Sequence, residues 1–539
     1  MATQKIVVNE KLKRVWDKIF LYLDCNIHKT ISQQESFQRN MIQNDSSLTK
    51  NEKKFLLDDL QKVYDKHKIN NNFVEKQQCN NCQNWHQATQ YCEFCIFKYL
   101  ENNFVNWTSE NNEIDKLIQG CQQKIISPRY VIEWINYDQF ENVEHLMEGG
   151  CATIYTAKWK DGCYKKWNSE NQILERFGRQ KVILKRLNNS KNSNVHWFQE
   201  VTLSFTLDNT FQRLVVCHGL TKDPSTNDYM LVLRCYDDDL RHFIKDNYHT
   251  LTLLKKYKII CNITHSLVKI HSQDIVHRDL HSGNILYYAP NSHWSISDLG
   301  LSGPVDKPLN SIYGNLPYIA PEVYCGQIYT KKSDIYSIGI LMWEVITGET
   351  PFGDQEHDRD LAFAITEGYR PWINENIPFE YATLIKQCWD ADPDNRPDAN
   401  IIFDKMTLLI KSLYEEMDKQ QQKQSIKNFK SKIKNFFKSG FTRNKDKQII
   451  KNTQSNERRS KIYKIQTSKV YTFNFSIQPR NATDEEEQAY KTNQFDFEIS
   501  EEMEQLYLKA IGADNSNKSC VDREYEFAGP SNSSTRCQN

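Results

Sequence analysis

The stretch His277-Arg278-Asp279-Leu280-His281-Ser282-Gly283-Asn284, followed fourteen residues after Asn284 by Asp298-Leu299-Gly300, decides how this chain is read. Asp279 offers a carboxylate that can take a proton from a hydroxyl. Asn284 and Asp298 offer an amide oxygen and a second carboxylate, hard oxygen donors suited to magnesium on a triphosphate. Moving a phosphoryl group asks little more of a protein than positioning and charge placement of this kind. A string of this length, with a partner at this spacing, is too specific to be read as chance.

Working outward, Val182-Ile183-Leu184 is strand-like and leads into Lys185, and Glu200 lies within Trp197-Phe198-Gln199-Glu200-Val201. Downstream stand Ala320-Pro321-Glu322, Ser333-Asp334-Ile335-Tyr336-Ser337-Ile338-Gly339 and Asp394-Asn395-Arg396-Pro397. With these motifs on it, the segment 138–417 resembles a eukaryotic protein kinase domain. The strings HRDLHSGNIL and YGNLPYIAPEVY are similar to the tyrosine-kinase-like group, especially an expanded fungal family.

The resemblance implies an α+β fold in two lobes, a small β-rich N-lobe with one helix and a large helical C-lobe, with ATP between them. Asp279 would orient the substrate hydroxyl and accept its proton, and Asn284 and Asp298 would hold Mg. Lys185 would contact the phosphates and be held by Glu200. Glu322 would pair with Arg396, and Asp334 would accept hydrogen bonds from the catalytic-loop backbone. Leu146 and Ile154 would sandwich the adenine, with Arg234, Cys235 and Tyr236 as the hinge. Arg278 implies an activation segment organised by a phosphate, with Ser302, Ser311 and Tyr313 as acceptors.

Two features depart from the family pattern. In the segment LMEGGCATIY, aligned on residues 146–155, Met147 and Ala152 stand where glycines are usual; Gly149 remains and Gly150 adds some freedom. Side chains there hinder the approach of backbone amides to phosphates. His281 and Asn315 replace the lysine and threonine usual in serine/threonine kinases, although His281 is frequent in the tyrosine-kinase-like group, whose members mostly phosphorylate serine and threonine. The expected activity is therefore transfer of the γ-phosphoryl group to Ser/Thr, less readily Tyr, hydroxyls of protein substrates. The alternative is a pseudokinase scaffold using its flanking elements for docking, which the degenerate loop favours and the retained set Lys185, Glu200, Asp279, Asn284 and Asp298 opposes.

The flanks carry their own signals. Cys79-Asn80-Asn81-Cys82 and Cys92-Glu93-Phe94-Cys95 bracket nine residues. Two such pairs on a short loop can place four thiolates around one structural zinc ion, as in a zinc-ribbon-like knuckle, leaving no open position for chemistry. His86 between them is read as a bystander, and four reduced structural cysteines are the plainer reading. The fungal family carries a similar knuckle, followed by a segment like residues 133–140. Elements are thus expected at 1–75 (a helical extension with apolar periodicity at Leu12, Val15, Trp16, Ile19 and Leu23), at 76–130 (knuckle and helix), at 138–417, and at 418–539 (a largely disordered tail).

The 539 residues carry a formal net charge of +0, so nothing draws the whole chain toward nucleic acid. The knuckle has no basic stripe either, and no nucleic-acid partner is expected. From 419 to 464 there are 15 Lys/Arg against 2 Asp/Glu, and from 484 to 504 there are 9 acidic residues against 1 basic. Within the basic block Ile426, Phe429, Ile433, Phe436 and Phe437 share one helical face with lysines around it, which suits an anionic membrane surface or a calmodulin-like groove. A helix packed on the kinase domain, or a soluble linker, is the plainer reading. No apolar run is long enough to span a bilayer. The 15 cysteines without an export segment fit a reducing, cytoplasmic location.

Overall fold

The computed structural model describes residues 9–24, 27–70, 76–124, 127–148, 152–191, 195–207, 214–304, 312–438, 468–472 and 474–492. Three N-terminal helices, α1 (Glu10–Leu21), α2 (Ile31–Asn44) and α3 (Lys50–Asn70), enclose their own core of Leu12, Val15, Ile19, Ile42, Leu48, Leu56, Leu60 and Tyr64. Asn9 caps α1, and Thr30 forms a capping box with Gln33 at the start of α2. The same bundle is seated on the large lobe. Asp17 accepts from Lys258 at 2.5 Å and from Tyr414 at 3.1 Å, while Lys18 reaches Asp418 at 2.6 Å.

The hairpin β1 (Gln77–Gln78) and β2 (Trp85–His86) precedes α4 (Glu93–Asn102) and α5 (Asn112–Gln122). Cys92 and Cys95 bury with Ile96 and Leu100 against Val131, Trp167 and Leu174. Trp167 and Leu174 belong to a second hairpin, β6 (Tyr164–Asn168) and β7 (Ile173–Arg176), so the knuckle is packed onto the small lobe.

That lobe is a six-stranded sheet ordered β3-β9-β10-β8-β5-β4, from β3 (Glu133–Trp134), β4 (Phe140–Glu148), β5 (Ala152–Trp159), β8 (Gln180–Leu187), β9 (Cys217–Lys222) and β10 (Tyr229–Arg234). All pairs are antiparallel except β3 with β9. Strand β3 lies before residue 138, so the sheet reaches upstream of the expected start of the domain. Gly219 permits this pairing: its φ is +152°, and a Cβ would lie 1.9 Å from the Glu133 carbonyl oxygen. Helix α6 (Val195–Thr206) packs against the sheet through Val201 and Phe205, and α5 joins the same cluster through Ile114 and Ile118.

The large lobe is helical and continuous in its core. The short strand β11 (Asp238–Asp239) leads into α7 (Leu240–Asn247) and α8 (Leu253–His271). Strand β12 (Ile275–Val276) pairs with β15 (Gly303–Pro304), the hairpin β13 (Ile285–Tyr288) and β14 (His293–Ile296) pairs with β11, and β16 (Ile312–Gly314) follows. Helices α9 (Pro321–Tyr324), α10 (Lys331–Thr347), α11 (Arg359–Thr366), α12 (Phe379–Cys388) and α13 (Ala399–Lys438) complete the lobe. Fourteen consecutive residues of α10, Ser333 to Ile346, are buried, as expected of a helix surrounded by others.

The tail differs from its compositional reading in two places. Helix α13 continues through the basic block to Lys438, although the side chains of Ile426, Phe429, Ile433, Phe436 and Phe437 lie outside the described residues. Farther on, β17 (Lys469–Tyr471) adds to β16, and α14 (Asp484–Thr492) follows. An aromatic anchor contributes to this order: Phe475 is 1% exposed and packs edge-on to Phe363 of α11. Among the described residues no helix is long and apolar enough to cross a membrane.

Candidate active site

Lys185 sits on β8 directly opposite Ile154 of β5 and Leu231 of β10, so these three share one face of the sheet. Its ammonium reaches across the cleft. Nζ lies 2.6 Å from Glu200 Oε1 on α6 and 2.8 Å from Asp298 Oδ1 below. Burial alone would push the ammonium down, but the charges of Asp298 and Glu200 outweigh it and raise Lys185 above the usual lysine range. Burial likewise opposes ionisation of Asp298, yet Lys185 and the Gly300 amide hold its carboxyl at about 2. Gly300 leaves room here: a Cβ would lie 3.0 Å from Glu200 Oε2 and 3.2 Å from Asp298 Oδ1, so those carboxylates would have to shift.

Asp279 lies on the catalytic loop between β12 and β13. Burial, with the charge of Asp298 nearby, pushes its carboxyl up to about 7. Asn284 Nδ2 donates to the Asp279 carbonyl at 2.8 Å, which leaves Oδ1 as the acceptor end of that amide. Asp298 keeps Oδ2 clear of Lys185, whose contact is through Oδ1. Asn284 and Asp298 lie close together in the large lobe, where the Ser297 amide donates to the Asn284 carbonyl at 2.8 Å, and an amide oxygen beside a carboxylate suits a magnesium ion on a triphosphate. Arg278 (φ 72°) and Asp298 (φ 59°) both take the left-handed conformation, which side chains other than glycine adopt seldom and often at functional sites.

The loop is fixed from beneath. Asp334, 1% exposed near the N-terminus of α10, accepts from the amides of His277 (2.8 Å) and Arg278 (2.9 Å) and pairs with His271 Nε2 at 2.8 Å. The activation segment is closed by a bidentate pair, Arg396 Nη1–Glu322 Oε1 at 2.8 Å and Nη2–Oε2 at 2.7 Å. Of the proposed acceptors, Ser302 is 2% exposed and spends its hydroxyl on the His277 carbonyl at 3.2 Å, so it is closed to modification in this state. Ser311 lies outside the described residues, and Tyr313 is half-buried on β16.

The nucleotide groove is described in part. Leu146 is exposed on β4, Ile154 is half-buried on β5, and Arg234, Cys235 and Tyr236 connect the lobes. Tyr236 turns its hydroxyl to accept from the Val216 amide at 3.3 Å and its ring onto Tyr288. Gly149 and Gly150 lie outside the described residues.

The four knuckle cysteines converge, each Sγ within 4.8 Å of the others. Cys79 Sγ is 3.7 Å from Cys95 Sγ, and Cys82 Sγ is 3.6 Å from Cys92 Sγ. Tetrahedral zinc thiolates require edges of ~3.8 Å, from zinc–sulfur bonds of ~2.3 Å. The cluster therefore fits the ion. His86 turns Nδ1 to the Ala88 carbonyl at 2.9 Å.

One group at the site was not legible in the local sequence. Ser468, from the tail, donates its hydroxyl to Asp279 Oδ1 at 2.8 Å. No motif marks it; only the docked strand β17 brings it there.

Comparison with known proteins agrees with this geometry. Residues 140–408 match the family described as protein tyrosine and serine/threonine kinase. A protein of Acanthamoeba polyphaga mimivirus named as a serine/threonine-protein kinase/receptor is 28% identical over 309 residues, covering 55% of this chain and 17% of the relative. In Dictyostelium discoideum, a LIM domain-containing serine/threonine-protein kinase is 24% identical over 313 residues, covering 56% of this chain and 47% of its own length. The seven transmembrane domain-containing tyrosine-protein kinase 1 of the same organism is 28% identical over 284 residues, covering 50% and 38%. The chain thus spans less than half the length of each of these relatives. With the two lobes, the cleft and this match together, residues 140–408 are a protein kinase domain of the protein tyrosine and serine/threonine kinase family.

Proposed function

We propose that the chain is an active, ATP-dependent protein kinase of the tyrosine-kinase-like group that phosphorylates serine and threonine hydroxyls. The observation that carries this reading is the closed contact of Lys185 with both Glu200 and Asp298, beside Asp279 and Asn284. In the reaction, Lys185 steadies the phosphates and Asp279 orients the acceptor hydroxyl and receives its proton. Asn284 Oδ1 and the Asp298 carboxylate would hold Mg, which would supply neutralising charge to the triphosphate. Leu146 and Ile154 flank the base, and residues 234–236 form its hinge.

Arg278 serves regulation by receiving a phosphate on the activation segment, with Ser311 or Tyr313 as its source. Cys79, Cys82, Cys92 and Cys95 hold a structural zinc ion, thiolates that a reducing cytoplasm preserves. The basic helix around 426–438 meets an anionic membrane surface or a calmodulin-like partner. The scaffold reading retains one specific support, Met147 and Ala152 in place of loop glycines.

The deciding experiment is Asp279→Asn in the full chain. Autophosphorylation with Mg-ATP should fall by about 100-fold or more, the usual worth of a positioned general base. Equal labelling of variant and parent would defeat the kinase reading.

A further inference from the structure

The tail of this chain enters its own acceptor groove. Strand β17 pairs antiparallel with β16 of the activation segment in the register Tyr471–Ile312, Val470–Tyr313 and Lys469–Gly314. One step before Lys469, Ser468 lands on the catalytic aspartate. Its Oγ lies 2.8 Å from Asp279 Oδ1 and 3.2 Å from His281 Nε2. The backbone that follows is anchored along the C-lobe at several independent points. The Phe475 amide donates to the Tyr324 carbonyl at 2.8 Å, and its ring is buried on Phe363. Arg480 pairs with Glu367 of the lobe at 2.8 Å and, within the tail, with Glu486 at 2.8 Å, and Asn481 accepts from the Ala391 amide at 2.9 Å.

We propose that Ser468 is a phosphoacceptor of this kinase in cis, delivered to Asp279 by β17 as a tethered first substrate. The inference rests on the kinase reading above and names a substrate for that site. A buried aromatic, an ion-pair network and a strand in register fix the segment, so the hydroxyl is positioned rather than merely near. Within such an arrangement Ser468 Oγ attacks the γ-phosphorus of ATP. The new Oγ–P bond forms as the bond from that phosphorus to the β–γ bridging oxygen breaks; ADP leaves with the electron pair, and the Oγ proton passes to the Asp279 carboxylate. Phosphoserine at this place carries about −1.5 to −2 charge against that carboxylate, which expels the strand. Until that happens, β17 occupies the edge of β16 and excludes other peptides from it.

The test uses the full chain with Mg-ATP, casein as an added substrate, and phosphopeptide mapping over time. Phosphate on Ser468 should appear first, with a rate constant unchanged over a tenfold range of enzyme concentration, and casein labelling should follow after a lag. Phe475→Ala, and separately Arg480→Ala should the former fold poorly, should slow Ser468 labelling at least tenfold and remove the lag. Ser468→Ala keeps the strand but lacks the acceptor, so casein labelling should stay suppressed throughout the time course. Casein labelling by the parent chain before Ser468 is modified, or by Ser468→Ala at the parent's rate, would overturn the proposal and leave the kinase reading intact. So would a Ser468 rate proportional to enzyme concentration, or labelling indifferent to both anchor variants. Absence of phosphate on both casein and the chain would instead overturn the kinase reading on which the proposal stands.

Discussion

Arg396 and Glu322, 74 positions apart, meet as a fork on a fork inside the large lobe, with side chains only 0% and 3% exposed. Arg396 also donates to the carbonyls of Asp390 (2.8 Å) and Lys332 (3.0 Å), so its guanidinium is fully engaged. Such a pair adds little net stability while intact, because desolvation offsets attraction. Its loss leaves one buried charge without a partner. Arg396→Ala or Glu322→Ala should each destabilise the lobe by about 3–5 kcal/mol, measured by chemical denaturation. A change below about 1 kcal/mol would contradict the burial assigned to the pair.

Asp334 is the second buried support, and its loss should show in activity as well as stability. Asp334→Ala frees the amides of His277 and Arg278, at about 1–3 kcal/mol for each donor left unsatisfied. The backbone that carries Asp279 would then lose its brace. Phosphorylation of casein should fall with kcat more affected than KM for ATP, since the nucleotide contacts lie elsewhere.

Metal analysis of the purified chain should give about one zinc per molecule. Cys79→Ser combined with Cys95→Ser should abolish it. Because Cys92 and Cys95 pack with Trp167, removal of the ion by a chelator should also change tryptophan fluorescence. A folded, metal-free protein with unchanged fluorescence would count against the ion.

His218 on β9 makes stability fall on the acid side. It is buried beside Trp159, and burial with the nearby charge of Arg234 pushes its pKa from the ordinary 6.5 down to about 3. The folded state therefore refuses a proton that the unfolded chain accepts below pH 6.5. Stability from this group is complete at higher pH and is lost progressively between about pH 6.5 and 3. The loss should reach about 2 kcal/mol on going from pH 8 to 5. His218→Gln should flatten the stability–pH curve over that interval by one proton's slope; an unaltered slope would show that His218 titrates normally.

Much of the site was readable from residue order. The motif residues sit in short strings around Asp279, Asn284 and Asp298; a strand-like run led into Lys185, and the kinase resemblance supplied Glu200 on the following helix. The paired cysteines were legible for the same reason: ligands close in sequence need only a short loop to meet. Other features were not. Ser302 reads as an available hydroxyl until its bond to the His277 carbonyl is seen. The sheet begins at Glu133 because Gly219 lets that backbone come close, a fact of packing between segments about eighty residues apart.

Residue order by itself determined the protein kinase fold and the thiol cluster, because both are marked by side-chain types at set spacings along the chain. Only tertiary structure decided that the N-terminal helices rest on the large lobe, that the knuckle joins the β6–β7 hairpin, and that Ser468 reaches Asp279. Those contacts link segments whose composition is polar and unremarkable. They arise where a few buried groups, Phe475 above all, find complementary surface on a lobe already formed.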